Sequence, residues 1–515
     1  MSYKMSRRGF ALSTGATCFG VLASRKASFS ATQPARVEIR AADEIGPIQP
    51  ELHGHFAEHL GSCIYGGLWV GKDSRIPNVN GFRKQAVEYL RHVGIPVLRW
   101  PGGCFADDYH WRDGIGPAAK RPKLVNIHWG NYTEDNSFGT HEFISLCRLI
   151  GAEPYLAGNV GTGTPRELRD WVEYCNYPAG STLADERVAN GARAPFRVKY
   201  WGVGNENWGC GGNMTPQDYA SHYRQFATFL RPMGDTRPFL IACGPNGNNA
   251  DWTRGFFENI RRGQPNGFAM HYYSRGDNYA TKFTVENLQR QLSSFAILER
   301  GVVEQRTLLD KYDPQHRVGL MVDEWGVWDR MVPEEEKKYG RLWQQITMRS
   351  AVAAALGLNV FHRHAEKLIM GNIAQMVNVL HALLLTEEDK CVRTSTYYVY
   401  ELMKAHRSKK SLRTENPDTS PLGLSVSASR EGNELVLTLV NPKHDATLQV
   451  NCSLAGANAA GATARILHHE DMNACNTFSD PDRIVPRSLA VSASGSSVTM
   501  DLPPLSVATA VVRLG

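Results

Sequence analysis

Tyr200-Trp201-Gly202-Val203-Gly204-Asn205-Glu206-Asn207-Trp208 is a short apolar run that ends in polar side chains. Runs of this kind recur along the chain and alternate with longer stretches of helical periodicity. Alternating β and α patterns predict βαβ units, and eight such units favour a parallel (β/α)₈ barrel. The predicted strands cover residues 51–57, 96–102, 153–158, 198–204, 238–243, 268–273, 318–323 and 358–361.

The sequence pattern changes near residue 405. Alternating strand patterns at 422–428, 434–440, 446–450, 498–502 and 507–513 are separated by Gly, Asn, Pro and Ser, which predicts an antiparallel sandwich. The predicted fold class is therefore α/β, a (β/α)₈ TIM barrel with a C-terminal antiparallel β-sandwich domain. The predicted boundaries are 31–48 for an N-terminal strand that joins the sandwich, 49–405 for the (β/α)₈ barrel and 406–515 for the sandwich.

The N-terminal segment has the pattern of an export signal. Ser6-Arg7-Arg8-Gly9-Phe10 precedes a mildly apolar stretch, and this arrangement resembles a bacterial twin-arginine signal peptide over residues 1–30. The apolar run of about 14 residues is shorter than the ~20 needed to span a bilayer. We therefore expect a periplasmic or secreted protein that has no membrane association once the signal is removed.

Charge and cysteine content exclude several classes of function. The formal net charge is +6, but Lys4, Arg7, Arg8, Arg25 and Lys26 precede residue 34 without any acidic residue, so the remainder carries only about +1. This balance does not support a nucleic-acid-binding surface. Ten cysteines occur without a Cys-x-x-Cys pair, which excludes zinc-ribbon and thioredoxin-like sites and leaves isolated disulfides open.

Two glutamates have the position expected of catalytic carboxylates. Glu206 and Glu324 each follow an apolar strand, and at about 40 residues per βα unit they belong to strands four and seven of the barrel. These strands face each other across the barrel mouth. Two carboxyls about 5–5.5 Å apart suit retaining glycoside hydrolysis, in which one attacks the anomeric carbon and the other protonates the departing oxygen. This division of labour requires one raised and one low pKa.

Longer motifs between about residues 45 and 400 identify a family. In their order along the chain they resemble glycoside hydrolase family 51, the α-L-arabinofuranosidases. Among them are Arg99-Trp100-Pro101-Gly102-Gly103, Trp111-Arg112-Asp113-Gly114-Ile115-Gly116-Pro117, Gly204-Asn205-Glu206, His271-Tyr272-Tyr273, Asp323-Glu324-Trp325 and Asn372-Ile373-Ala374-Gln375-Met376-Val377-Asn378.

The resemblance implies a role for each residue of the site. Glu206 would be the general acid/base, Glu324 the nucleophile, and Asn205 a hydrogen-bonding partner of the sugar 2-hydroxyl. The remaining glycone pocket would consist of Glu58, Arg99, Tyr273 and Gln375. Trp328, four residues after Glu324, is an additional candidate because an exposed indole can stack on a sugar face.

The resemblance also implies a substrate. It indicates an exo-acting retaining enzyme that releases terminal non-reducing α-L-arabinofuranosyl residues from plant arabinan, arabinoxylan or derived oligosaccharides. No cofactor or metal is implied. Members of the family often assemble as homo-oligomers, and the composition of this chain does not determine its oligomeric state.

The sequence departs from the family pattern at three places, of which the turn at residues 207–212 is expected to reshape the leaving-group side. Cys104 stands where many relatives have Asn, and a thiol is a weak donor and acceptor. The turn at residues 207–212, Asn207-Trp208-Gly209-Cys210-Gly211-Gly212, replaces a more common acidic turn, and Gly326 stands where Asn is frequent.

Three other interpretations remain. An endo-β-glucanase would use the same two carboxylates on the same fold. His53-Gly54-His55 and His362-Arg363-His364 suggest a metal-dependent barrel hydrolase, although the expected middle-strand ligands are missing. A non-catalytic glycan-binding protein would explain the 11 Trp and 19 Tyr but not the paired glutamates.

Overall fold

Eight parallel strands form a closed barrel in this computed structural model, which describes residues 35–261 and 263–515. Each strand pairs with the next along the chain, and the last pairs with the first. The predicted barrel is confirmed. Its strands are β2 (Gly54–Phe56), β3 (Val97–Trp100), β4 (Glu153–Gly158), β5 (Tyr200–Val203), β6 (Phe239–Asn246), β7 (Gly267–Tyr279), β8 (Gly319–Arg330) and β9 (Leu368–Ala374).

Eleven helices occur within the described residues, and most of them connect barrel strands. The helix that follows β4 is capped by Thr164, whose hydroxyl accepts the N–H of Glu167, and it begins at Pro165. The helices are α1 (Lys84–Val93), α2 (Thr140–Ile150), α3 (Pro165–Asn176), α4 (Thr182–Ala189), α5 (Pro216–Phe229), α6 (Ala250–Asn259), α7 (Val285–Ser293), α8 (Phe295–Tyr312), α9 (Pro333–Tyr339), α10 (Met348–Arg363) and α11 (Ser395–Met403).

The predicted position of the eighth strand is wrong. Residues 358–361 belong to α10, and the strand itself is β9. Nearly every residue of α10 is buried, so this helix has apolar side chains on all sides and lacks the amphipathic period by which a surface helix is recognised. A short window of such a helix resembles a buried strand.

The C-terminal region forms a ten-stranded, mainly antiparallel sheet with a core of its own. Strand β1 (Ala35–Pro47) belongs to this sheet and lies between β10 and β13, antiparallel to the first and parallel to the second. The other strands are β10 (Lys410–Glu415), β11 (Ser425–Glu431), β12 (Glu434–Asn441), β13 (Leu448–Ala455), β14 (Ala459–His468), β15 (Arg487–Leu489), β16 (Ser492–Ser494), β17 (Ser497–Leu502) and β18 (Ser506–Leu514).

Three short hairpins complete the fold: Asn78–Val79 with Phe82–Arg83, Leu124–Asn126 with Tyr132–Glu134, and Leu384–Glu387 with Lys390–Arg393. The exact domain boundaries stay a prediction, and the predicted signal peptide lies outside the described residues. None of the helices in the described ranges combines the length and apolar character that a membrane span requires.

Candidate active site

A cavity of about 230 Å³ opens where the barrel strands end at their carboxyl side. Six of the predicted site residues line it. Arg99 donates a hydrogen bond to one of them, Glu324, and a second hydrogen bond to Asn205. The structure therefore brings all eight predicted residues together. Those on the cavity wall are Glu58, Glu206, Tyr273, Glu324, Trp328 and Gln375.

Glu206 and Glu324 face each other with His271 between them. One oxygen of each carboxylate and one ring nitrogen of the histidine all lie within 4.8 Å of one another. The Nδ1 atom of His271 lies 2.9 Å from Glu206 Oε1 and 3.6 Å from Glu324 Oε2. The side chain of Glu206 is 18% exposed, whereas that of Glu324 is 6% exposed. Glu206 is thus the more open of the two carboxylates.

A bulge in β8 explains the position of Glu324. In the pairing of β7 with β8, Met270 lies opposite Val322 but His271 lies opposite Glu324, so Asp323 is an extra residue on β8. Consecutive residues of a regular strand point to opposite faces, and a bulge redirects them. As a result, Asp323 and Glu324 both lie against the same guanidinium group.

That guanidinium belongs to Arg99, which is buried at the end of β3. Its Nη1 donates to Glu324 Oε1 at 2.9 Å, its Nη2 donates to Asn205 Oδ1, and its Nε lies 3.6 Å from Asp323 Oδ2. Asp323 is fixed in turn by Tyr155 Oη at 2.8 Å and by Asn372 Nδ2 at 2.6 Å. Arg99 therefore holds the two predicted catalytic segments in one network.

The charges around Glu324 favour its ionised form. Burial alone would raise the pKa of this carboxyl, but His271, Arg99 and the hydroxyl of Tyr273, which donates to Oε2 at 2.9 Å, together lower it. Burial likewise opposes the charged form of His271, yet the carboxylates of Glu324 and Glu206 raise its pKa. Arg99 thus places a positive charge against Glu324, and the protonated form of His271 is favoured by the same surroundings.

Glu58 closes another side of the cavity. It accepts hydrogen bonds from Trp129 Nε1 at 2.9 Å, Phe105 N at 3.1 Å and Gln375 Nε2 at 2.9 Å. Burial, followed by the nearby charge of Glu324, raises the pKa of Glu58 to about 7. Burial thus shifts this carboxyl toward its protonated form, while three donors hold it in place.

Trp328 lies half-buried on the cavity wall. Its ring is edge-on to Tyr273, with centroids 5.3 Å apart, and the guanidinium of Arg275 lies 4.5 Å from its centroid. The extension of β8 beyond the bulge pairs Trp328 with Arg275 on β7 and so places both at the mouth. An indole here can contact a sugar.

Cys104 is part of a disulfide with Cys210. The interpretation of Cys104 as a free thiol is therefore wrong. The two residues are 106 positions apart, so no local pattern in the sequence could reveal that they pair. Cys104 lines the cavity, and Cys210 Sγ lies 3.6 Å from Glu206 Oε2. The disulfide thus joins the loop after β3 to the turn that carries Glu206.

The histidines that suggested a metal site lie elsewhere. His53 and His362 contact each other through Nε2 atoms 2.9 Å apart, and His362 Nδ1 lies 3.1 Å from the hydroxyl of Ser427 on β11. They are buried between the barrel and the sheet domain, away from the cavity. Since His362 ends α10 and does not follow a strand, the pattern that suggested a metal-dependent hydrolase does not reflect the fold, and that alternative is not favoured.

Sequence reasoning missed three contributors to the site. His271 lies in a predicted strand and in one of the family motifs but was assigned no role, although its place in β7 beside the cavity was the available signal. Trp129 lies in the hairpin between Leu124–Asn126 and Tyr132–Glu134, where no periodic pattern marks it. Asp107, whose carboxylate accepts the backbone N–H of Asn205, lies in a single 3₁₀ turn.

The closed parallel barrel with two facing carboxylates at its mouth defines a two-carboxylate glycoside hydrolase. Two family models match the chain, the α-L-arabinofuranosidase 1 domain over residues 89–290 and the α-L-arabinofuranosidase C-terminal domain over residues 323–506. The crystal structure of the GH51 arabinofuranosidase from Xanthomonas axonopodis pv. citri matches with a TM-score of 0.90 and 37% identity, covering 93% of this chain and 100% of that chain. The chain belongs to the α-L-arabinofuranosidases of glycoside hydrolase family 51, which confirms the resemblance.

Two further matches agree with this assignment. An arabinose complex of the α-L-arabinofuranosidase from Thermotoga maritima has a TM-score of 0.84 and 28% identity, covering 93% of this chain and 100% of that chain. A Bacteroides ovatus protein is 39% identical over 94% of this chain and 96% of its own length, and is described as an intracellular exo-α-L-arabinofuranosidase.

The intracellular description of that relative overturns the expected location. The prediction of a periplasmic or secreted protein is wrong. It depended on an arginine pair and a short apolar run, a pattern brief enough to occur without an export function.

Proposed function

We propose that this chain hydrolyses terminal non-reducing α-L-arabinofuranosyl bonds with retention of configuration. The observation that carries the proposal is the pair of carboxylates, with oxygens and the intervening histidine within 4.8 Å of one another, in a small cavity at the barrel mouth. This spacing suits direct attack by one carboxylate on the sugar. An inverting enzyme requires room for a water molecule between the two carboxylates, and this spacing leaves none. The endo-β-glucanase alternative is not favoured, because the similar relatives are named arabinofuranosidases.

Glu324 is the proposed nucleophile. Its buried carboxylate has a lowered pKa and accepts hydrogen bonds from Arg99 and Tyr273, so it is ionised and fixed in orientation. In the first step one of its oxygens bonds to the anomeric carbon as the bond from that carbon to the leaving group breaks. The product is a covalent glycosyl-enzyme ester.

Glu206 is the proposed general acid and base. It is the more exposed carboxyl, on the side of the cavity where Trp208 and the disulfide lie, and its proton passes to the departing oxygen. Once the leaving group has gone, the ionised Glu206 takes a proton from water, whose oxygen then attacks the anomeric carbon and releases Glu324. The cycle returns both carboxyls to their starting states.

The remaining predicted residues would hold the arabinofuranosyl ring. The Nδ2 group of Asn205 is buried and has no hydrogen-bond partner in the described part of the chain, so it is available for the 2-hydroxyl. Glu58 and Gln375 share a hydrogen-bonded pair at another wall. Each polar contact of this kind contributes about 0.5–1.5 kcal/mol, or about 1.5–3 kcal/mol when a charged group takes part.

We propose that the glycan substrate is arabinan, arabinoxylan or an oligosaccharide derived from them. Water is the only co-reactant that this chemistry needs. A homo-oligomer, which the family resemblance leaves open, can be tested by light scattering in solution.

The proposal is tested with 4-nitrophenyl α-L-arabinofuranoside, an arabinan oligosaccharide and a β-glucan, each with and without chelator. We expect arabinose from the first two substrates alone, unaffected by chelator, with the configuration of the first-formed sugar retained by NMR. Glu324→Ala should abolish turnover of every substrate. Glu206→Ala should lose about 100-fold or more on the oligosaccharide and less on the aryl glycoside, whose leaving group needs little protonation.

The exposed Glu334 on α9 provides the matched control. Glu334→Ala removes the same functional group at a residue that does not line the cavity, and it should leave all rates unchanged. Activity on the β-glucan alone would overturn the substrate assignment. Equal losses for Glu206→Ala on both arabinosides would overturn its role as acid and base.

A further inference from the structure

The loop after β3, residues 102–107, contacts the segment that carries Glu206 on both sides of that residue. On the N-terminal side the contact is made by Asp107, which is 2% exposed. Its Oδ2 accepts the backbone N–H of Asn205 at 2.7 Å and the side-chain amide of Asn207 at 3.3 Å. Its Oδ1 accepts the backbone N–H of Val160 at 2.6 Å, which also ties the carboxylate to the segment that follows β4.

On the C-terminal side the contact is covalent. Cys104 of the same loop is bonded to Cys210, four residues after Glu206. Between them the chain makes a tight turn, in which the N–H groups of Gly209 and Gly211 donate to the carbonyl of Glu206 at 2.7 and 3.2 Å. A displacement of this turn would therefore move Glu206 with it.

The backbone of Glu206 needs such support. Its φ of +43° lies in the left-handed region, which residues with a Cβ rarely adopt. A conformation of this kind costs about 1–3 kcal/mol and persists only where the surroundings enforce it. With Asn205 held by Asp107 and the following turn held by Cys104, the strained residue is fixed at both ends.

We propose that the Cys104–Cys210 disulfide and Asp107 are positioning residues that together hold Glu206 where it can protonate the leaving group. The inference rests on the proposed role of Glu206. The nucleophile does not depend on these ties in the same way, because Glu324 is held by Arg99, Tyr273 and the bulge in β8. Loosening the loop should therefore affect protonation more than nucleophilic attack.

The consequence is a dependence on the leaving group. General acid catalysis contributes about 10²–10⁴-fold when the leaving group is poor and little when it is good. A misplaced acid thus slows hydrolysis of the oligosaccharide while the aryl glycoside reacts nearly as before. A disulfide that only stabilised the fold would, on removal, lower both rates equally or neither.

Reduction of the native enzyme tests this directly. Dithiothreitol cleaves the bond by two thiol–disulfide exchanges, so each cysteine gains a hydrogen and the reagent becomes its cyclic disulfide. Iodoacetamide then alkylates the freed thiols, and peptide mapping reports which cysteines are modified. The seven other cysteines in the described ranges are buried and free, which makes Cys104 and Cys210 the expected sites among them.

We expect the reduced, alkylated enzyme to lose about 10-fold or more in kcat/KM on the oligosaccharide and less than about 2-fold on the aryl substrate. Reduction without alkylation, followed by reoxidation, should restore the oligosaccharide rate. Cys104→Ser with Cys210→Ser, and separately Asp107→Asn, should show the same selective loss. Cys475→Ala, a buried free cysteine outside the site, is the control and should show none.

Each result separates this inference from the assignment on which it rests. If Glu206→Ala shows the leaving-group dependence but the reduced enzyme and the Asp107→Asn enzyme lose both activities equally, or neither, the positioning role is refuted. If Glu206→Ala itself lacks the dependence, the acid/base assignment fails first. A selective loss in all of them supports both.

Discussion

The buried histidines between the barrel and the sheet domain predict that acid destabilises this protein by a defined amount. His406 packs between the hydroxyls of Ser429 and Thr438, at 2.8 and 2.9 Å, and its ring centroid lies 4.6 Å from that of His362. Burial, with a smaller effect of Lys409, lowers the pKa of His406 from 6.5 to about 3. The folded state therefore keeps this ring neutral over a pH range in which the unfolded chain binds a proton.

The size of the effect follows from proton linkage. Because the unfolded state binds more protons between about pH 3 and 6.5, the free energy of unfolding falls as the pH falls, by about 1.4 kcal/mol per pH unit per histidine. At pH 4.5, two units below 6.5, His406 alone removes about 2.7 kcal/mol. His53 and His362, whose pKa values burial lowers well below 6.5, act in the same direction.

The assay is equilibrium unfolding in urea at about pH 7.5 and about pH 4.5, with His406→Gln as the perturbation. At the higher pH the variant should be less stable than the native chain, since the hydrogen bonds of His406 to Ser429 and Thr438 are altered. Acidification should lower the free energy of unfolding of the variant by about 2.7 kcal/mol less than that of the native chain, because the variant lacks the His406 ring. The carboxylates titrate equally in both proteins and cancel in this difference. The exposed His92 on α1 gives the matched control His92→Gln, which should leave the pH dependence unchanged. Identical pH dependence in the His406→Gln and native proteins would refute the reasoning.

Two further substitutions test the site and the packing. Tyr273→Phe removes the hydroxyl that helps to lower the pKa of Glu324, so the acid limb of the kcat/KM profile should move to higher pH, with a loss of about 1–3 kcal/mol in transition-state stabilisation. An unmoved acid limb would contradict this. Gly357→Ala places a Cβ against the indole of Trp325 inside α10 and should lower the free energy of unfolding by about 1–3 kcal/mol. Gly301→Ala, where a Cβ meets only atoms at 3.5 Å or more, is its control and should be neutral or stabilising.

The sequence by itself was sufficient for the barrel and for its two candidate carboxylates. Barrel strands are short apolar runs with polar residues at their ends, and this signal is local, so Glu206 and Glu324 could be placed on strands four and seven by counting βα units. The same local reasoning failed for the eighth strand, because α10 is buried on all sides and its apolar content has no helical period.

Only the tertiary structure decided what surrounds those carboxylates. The disulfide joins residues 106 positions apart, His271 comes between two carboxylates from different strands, and Asp323 and Glu324 share Arg99 only because a bulge turns both toward it. Each of these depends on how distant segments meet in space. Residue type and periodicity report the face of an element, but a contact between distant segments is set by packing and strand register, which no local pattern encodes.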